Sequence, residues 1–238
     1  MKRGGIDAGA MRDARTRRHV TRTLGSHTMR ICFFGDSFVN GTGDDDGLGW
    51  VGRVVARARQ GGRDVTGYNL GIRRNASADV EARWKREAAL RLPPECDGRL
   101  VFSFGANDCI SNGDDLNPRV ARPESLGYAE AILSAAQRWL PTLMIGPGIV
   151  ADDPEANARI CSLSTDYAKL CERIGVPYLE TCQLLLASPV WSEEALAGDG
   201  AHPNRGGYTI VADAVCKWPC WRNWVESSRG SPLEVLDQ

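Results

Sequence analysis

Histidine is scarce in this chain. There are three in 238 residues, and two of them, His19 and His27, fall within the first thirty positions. Any imidazole chemistry in the folded region therefore falls to His202. Long apolar runs are lacking too. No window approaches the roughly 18 apolar residues of a membrane span, and the N-terminal segment has no apolar stretch of the kind a secretory signal needs. Charge of one sign is not in excess, since 29 Lys/Arg against 30 Asp/Glu leave a net charge of -1. That balance gives no electrostatic reason to expect a nucleic acid or a membrane surface as partner. No C-x-x-C pair occurs among the eight cysteines. Neither G-x-x-x-x-G-K-S/T nor G-x-G-x-x-G appears at the Gly35 turn, which removes two common nucleotide cradles.

What is present fits one α/β domain. Hydrophobic residues at 42% and charged residues at 25% lie near globular averages, and the length suffices for a sizeable core without disulfide or metal staples. The expectation for the cysteines is buried, reduced thiols in a cytoplasmic protein, although their even number leaves a disulfide or two open. Residues 1–30 carry eight Lys/Arg against Asp7 and Asp13, a net of +6, so the remainder carries about -7. This segment reads as a disordered extension, or as sequence ahead of a true start at Met29. The expected division is a basic extension over 1–28, one domain over 29–225 and a tail over 226–238.

Short apolar runs ending in glycine mark buried strands at 30–34, 100–104 and 142–145, with weaker ones at 64–70 and 176–179. Helical patterns fill 48–60, 77–92, 123–140, 156–174 and 207–217. Strand and helix alternate, which predicts a parallel sheet covered by helices on both faces. In such sheets, sites lie at the carboxyl ends of the strands.

The chemistry-bearing residues fall at those ends. The first strand runs into Gly35-Asp36-Ser37, where a sharp turn can present a serine beside backbone N–H groups. The tripeptide alone also fits an ordinary turn. Serine needs a base, and His202 lies in a polar turn three residues after Asp199. That spacing allows the carboxylate to reach Nδ1 and leave Nε2 free, although a loop histidine can equally be a surface or capping residue. The second strand ends at Asn69-Leu70-Gly71, offering the Gly71 N–H. The third ends at Gly105-Ala106-Asn107-Asp108, offering the Asn107 amide, itself a common turn former.

Taken together, these four blocks, Gly35-Asp36-Ser37, Asn69-Leu70-Gly71, Gly105-Ala106-Asn107-Asp108 and Asp199-Gly200-Ala201-His202-Pro203, resemble those of the GDSL/SGNH hydrolases, in the same order. The resemblance spans most of residues 30–217. It implies a flavodoxin-like three-layer α/β/α sandwich on a parallel five-stranded sheet. It also implies Ser37 as nucleophile, His202 as base, Asp199 orienting His202, and an oxyanion hole of the Ser37 and Gly71 N–H groups with the Asn107 side chain. No cofactor or metal is called for.

The expected activity is hydrolysis of carboxylic esters of small or soluble molecules. Carbohydrate O-acetylesterase, thioesterase and lysophospholipase activities stand as alternatives, and a non-catalytic binder on the same fold is the reading from a different class. Substrate choice is expected to come from loops around 39–47, 109–122 and 146–157. Asp44-Asp45-Asp46 lacks the alternating ligands of a calcium loop and reads as a solvated acidic turn. Trp50 reads as core or cleft wall, Trp84 and Trp139 as helix packing, and Trp191 as core or acyl-pocket lining. The Cys/Trp-rich end from Cys216 to Trp224 has no place in the family pattern.

Overall fold

Adjacent phenylalanines in the first strand show how the layers form. Successive side chains of a strand point to opposite faces. In the computed structural model, Phe33 meets Trp50 edge-on at 5.7 Å and Trp221 at 6.2 Å. Phe34 instead stacks on Phe102 at 5.5 Å, and Phe102 receives Trp84 edge-on. One strand thus anchors two helical layers, as expected where both faces of a parallel sheet are covered. The structure describes Met1 and residues 28–111 and 117–227. Residues 2–27 of the basic extension, 112–116 of one expected specificity loop and 228–238 of the tail lie outside the described residues.

In chain order the elements are β1 (Met29–Gly35), α1 (Ser37–Asn40), α2 (Gly49–Gln60), β2 (Val65–Gly71), α3 (Ser77–Ala89), β3 (Asp97–Ser103) and α4 (Ala106–Cys109). There follow α5 (Arg122–Gln137), β4 (Thr142–Ile145), α6 (Pro154–Ile174), β5 (Tyr178–Leu179), α7 (Cys182–Leu186), α8 (Pro189–Ala197), α9 (Arg205–Lys217) and α10 (Pro219–Ser227). All strand pairs are parallel, in the order β2-β1-β3-β4-β5. This is the flavodoxin-like order, and its direction reverses between β1 and β3, where a crevice opens at the strands' carboxyl ends. Gly35 at the end of β1 pairs with Gly71 on one side and Ser103 on the other, so three of the four blocks meet at that crevice.

Five helices lie outside the expected pattern, the single turns α1 and α4 together with α7, α8 and α10. Helices α7 and α8 fill a stretch that shows no helical periodicity. In α8 only Trp191 and Ala195 are buried, too few for an apolar stripe. Its start is nonetheless signalled by Ser188, whose hydroxyl caps Trp191 N–H, followed by Pro189. Helix α10 contains the second half of the Cys/Trp-rich end. Trp221 is buried there, and Arg99 lies over the Trp224 ring at 5.1 Å.

The cysteines need one correction. Cys161 of α6 and Cys182 of α7 form a disulfide, while the other six are free. Helix packing brings these two thiols together, and nothing in their 21-residue separation marks the pair. Cys32, Cys109 and Cys171 are buried thiols whose ionisation is pushed up to about 12, chiefly by desolvation.

Candidate active site

Ser37 opens α1 directly after β1. Asp36 is the N-cap, its carboxylate accepting the Phe38 N–H at 2.9 Å. The Ser37 Oγ lies 2.7 Å from His202 Nε2, and His202 Nδ1 lies 2.7 Å from Asp199 Oδ2. The other Asp199 oxygen accepts the Ala201 and His202 N–H groups at 3.1 and 2.9 Å. The three-residue spacing therefore closes as a turn in which the carboxylate holds both the backbone and the ring of His202. Partial burial raises the Asp199 carboxyl, but the His202 N–H, the ring and the Ala201 N–H outweigh it and bring it down to about 2. With Asp199 ionised, Nδ1 carries the ring proton and Nε2 accepts from the serine hydroxyl.

Ser37 is only 5% exposed. Phe38 packs against the His202 ring at 5.1 Å and against Trp191 at 5.8 Å. Trp191 is fully buried, donates its indole N–H to Ile149 O at 3.1 Å and meets Tyr208 edge-on. It supports the cleft floor from below. Trp50 and Trp84 are likewise core residues, whereas Trp139 lies beyond the end of α5 and is partly exposed.

On the other side of the crevice, Asn107 in α4 donates through Nδ2 to Asn75 O at 3.1 Å. A primary amide has two such hydrogens, and this is the one bond the Asn107 amide donates among the described residues. Asp108 is buried beneath it, accepting Ser77 N–H at 2.8 Å and the Ser125 hydroxyl at 2.5 Å. Gly71 differs from expectation. Its N–H already donates to Asn69 Oδ1 at 3.0 Å, and a Cβ there would collide with Asn40 N and Asp36 O. Glycine is required at this position because β2 presses against α1. Just beyond it, Arg74 is the one described non-glycine residue with positive φ (66°), its carbonyl held by Arg119 at 2.8 Å. Nothing in Ile72-Arg73-Arg74-Asn75 signals that conformation in advance.

The acidic run Asp44-Asp45-Asp46 is solvated only in part: Asp45 and Asp46 are exposed, but Asp44 is not. Asp44 is buried and accepts Leu48 N–H at 3.1 Å, Gly49 N–H at 2.7 Å and both guanidinium nitrogens of Arg53. These bonds outweigh desolvation and hold its carboxyl below the usual range. The turn has no apolar periodicity, so only the arginine one helical turn into α2 could have signalled this partner.

A cavity of about 330 Å³ lies between α4, α5 and α6, lined by Asp108, Cys109, Val120, Arg122, Arg159 and Leu163. It includes neither Ser37, His202 nor Asn107 and is separate from the crevice. Behind Phe38, between Trp50, Gly148 and Trp191, only about 10 Å³ is free, the space of one water. Among the described residues no cluster of His, Cys, Asp and Glu is arranged to hold a metal ion, and no helix is long and apolar enough to cross a membrane.

Ligands of a doubly wound parallel sheet bind at its switch point, and there this chain carries a serine, a histidine and a carboxylate in hydrogen-bond contact. The chain belongs to the GDSL-like lipase/acylhydrolase family, whose pattern matches residues 33–210. No curated protein matches it. Among solved structures it is similar to the acetylxylan esterase Axe2 of Geobacillus stearothermophilus, with a TM-score of 0.65, 18% identity, and 79% of this chain and 92% of that one covered. It is similar to a lipase/acylhydrolase of Enterococcus faecalis, with a TM-score of 0.63, 20% identity and coverage of 84% and 96%. A lipolytic G-D-S-L family member of Veillonella parvula gives 0.64, 17%, 81% and 98%. At these identities the likeness is one of fold.

Proposed function

We propose that the protein hydrolyses carboxylic esters of small or soluble molecules through an acyl-enzyme on Ser37. The observation that carries this reading is the unbroken chain of two 2.7 Å contacts from Ser37 Oγ through His202 to Asp199. Ser37 Oγ attacks the ester carbonyl carbon as His202 Nε2 takes the hydroxyl proton, and Asp199 stabilises the imidazolium that forms. The carbonyl oxygen, now negative, is received by the Ser37 N–H and the second Asn107 Nδ2 hydrogen. The Gly71 N–H joins them only on release from Asn69. Collapse breaks the bond to the alkoxy oxygen, which takes the proton from His202. Water then repeats the sequence on the acyl-enzyme, releasing the carboxylic acid and free Ser37.

The water-sized space behind Phe38 argues against a long acyl chain running inward there. It supports a second reading, a carbohydrate O-acetylesterase, an activity in keeping with that of the structurally similar acetylxylan esterase Axe2. In Axe2, alanine replacements of one serine and one histidine are catalytic mutants.

The test combines a fluorophosphonate probe with p-nitrophenyl acetate. Ser37 should be labelled, and Ser37→Ala should lose turnover by about four orders of magnitude or more. Parental hydrolysis by Ser37→Ala, or folded protein that resists the probe, would overturn the assignment and favour a binder. A panel of acyl lengths, thioesters and acetylated sugars separates the substrate readings.

A further inference from the structure

We propose that the turn over residues 42–46, organised by the buried Asp44–Arg53 pair, is a positioning strap that sets the His202 ring against Ser37. The inference rests on the hydrolase reading above. The near end of the turn hangs from the nucleophile, since Gly41 and Thr42 N–H groups both donate to Ser37 O, at 3.0 and 3.1 Å. The far end grips the chain just past the histidine. Asp45 N–H donates to Asn204 Oδ1 at 3.0 Å, and Asn204 Nδ2 donates back to Asp45 Oδ2 at 2.7 Å. Arg205 donates to Asp46 Oδ1 at 2.5 Å, and the Tyr208 hydroxyl donates to Thr42 O at 2.6 Å. Between these contacts, Gly43, at φ 88°, lies so close that a Cβ there would come 2.9 Å from Pro203 O and 3.0 Å from His202 Cβ.

Both ends of the 2.7 Å serine–histidine contact are thus tied to one five-residue turn. Arg53 makes that turn rigid, donating to Asp44, to Asp46 at 3.0 Å and to Gly49 O at 2.9 Å. Capping of α2 alone would need only Asp44, which accepts the Leu48 and Gly49 N–H groups. The contacts of Thr42, Asp45 and Asp46 instead run outward to residues 204–208. Asp45 and Asn204 are hydrogen-bonded at the rim, where such a pair contributes little to stability. The consequence of the contact is therefore geometric, because a displacement of about 1 Å in a reacting group can cost roughly 100-fold in rate.

The experiment uses Asn204→Ser, in which serine still caps α9 but is too short to keep the reciprocal pair with Asp45. We expect kcat to fall about tenfold, part of the cost of a full 1 Å displacement, with KM within about twofold and Tm nearly unchanged. Fluorophosphonate labelling should slow in parallel. Asp45→Ala should lose about threefold, and Asp45→Asn, which keeps an acceptor, should retain parental kcat. The double variant Asp45→Ala/Asn204→Ser should be no slower than Asn204→Ser, since both substitutions remove one contact. Parental kcat in Asn204→Ser, or losses that multiply independently, would overturn the strap. If the parent itself neither hydrolyses esters nor takes the probe, the hydrolase reading falls instead. The strap is then still decided by the His202 ring resonances, which should move in Asn204→Ser and stay in place in Asp45→Asn.

Discussion

The two flanks of the crevice each rest on buried carboxylates, but they satisfy them differently. On the histidine flank, Asp44 is paired with Arg53 and accepts two backbone N–H groups. On the amide flank, the Asp108 carboxylate accepts, among the described residues, from the neutral donors Ser77 N–H and the Ser125 hydroxyl, whose oxygen also lies 2.7 Å from Tyr167 OH. Asp36, between the flanks, is held by the Phe38 N–H. Burial raises its carboxyl to about 7 against the pull of backbone N–H groups, with the nearby Asp108 adding to the rise. The lesson is a division of labour. The flank that must hold two side chains in register uses charge-assisted bonds, which are short and directional. On the amide flank the bonds to the buried carboxylate come from neutral dipoles, and Arg122 and Arg159 line the neighbouring cavity without bonding to it.

The largest effect should come from splitting the charged pair. Arg53→Met leaves Asp44 buried and unpaired, which should cost about 3–5 kcal/mol of stability. Adding Asp44→Leu removes the stranded charge and should recover much of that loss, yet turnover should stay low because the turn has lost its organiser. Urea unfolding and kcat, measured on both variants, separate the two consequences. Recovery of kcat together with stability would erase the distinction between the flanks.

Asn107→Ala should come next. Loss of one oxyanion donor costs on the order of 100-fold in kcat, with stability lowered by about 1 kcal/mol for the bond to Asn75 O. Parental turnover would remove the amide flank from the chemistry.

The frame of this molecule was legible because each strand is a short apolar run ended by glycine, and because the four blocks fall at strand ends. The Asp199–His202 contact was legible for a local reason, since a carboxylate three residues before a histidine can close one turn, whereas Ser37 lies 165 residues away and was tied to it only by the resemblance of the blocks. The strap was not. Asp44-Asp45-Asp46 reads as a solvated face until a fold brings Arg53, Asn204 and Arg205 to it from seven to 159 residues away. The engagement of Gly71 N–H by Asn69 and the left-handed Arg74 were hidden likewise, because a donor's availability depends on the final turn geometry. Helices α7 and α8 escaped because periodicity reports a stripe, and these helices bury only two side chains each. The Cys161–Cys182 bond depends on how α6 packs against α7, which residue spacing does not encode.

The smallest effect concerns Asp36 and distinguishes a cation-free carboxylate by its pH response. In the native state its carboxyl holds a proton up to about pH 7, because burial penalises the charge. In the unfolded chain it releases that proton near the ordinary value of about 3.9. Between those two pH values the native state binds more protons than the unfolded one, so stability falls as pH rises through the window. Asp199, drawn down to about 2, works in the opposite sense, adding stability that is lost only as pH falls below about 4, outside the window. Asp36→Asn keeps an acceptor for Phe38 N–H and removes the titration. The parent should therefore lose on the order of 2 kcal/mol relative to the variant between pH 4.5 and 7.5, after allowing for relaxation around a buried charge. Thermal unfolding at both pH values, read as the difference between the two proteins, tests this directly. Parallel curves would mean that Asp36 is ionised in the folded protein, and that the crevice carries a second buried negative charge beside Ser37.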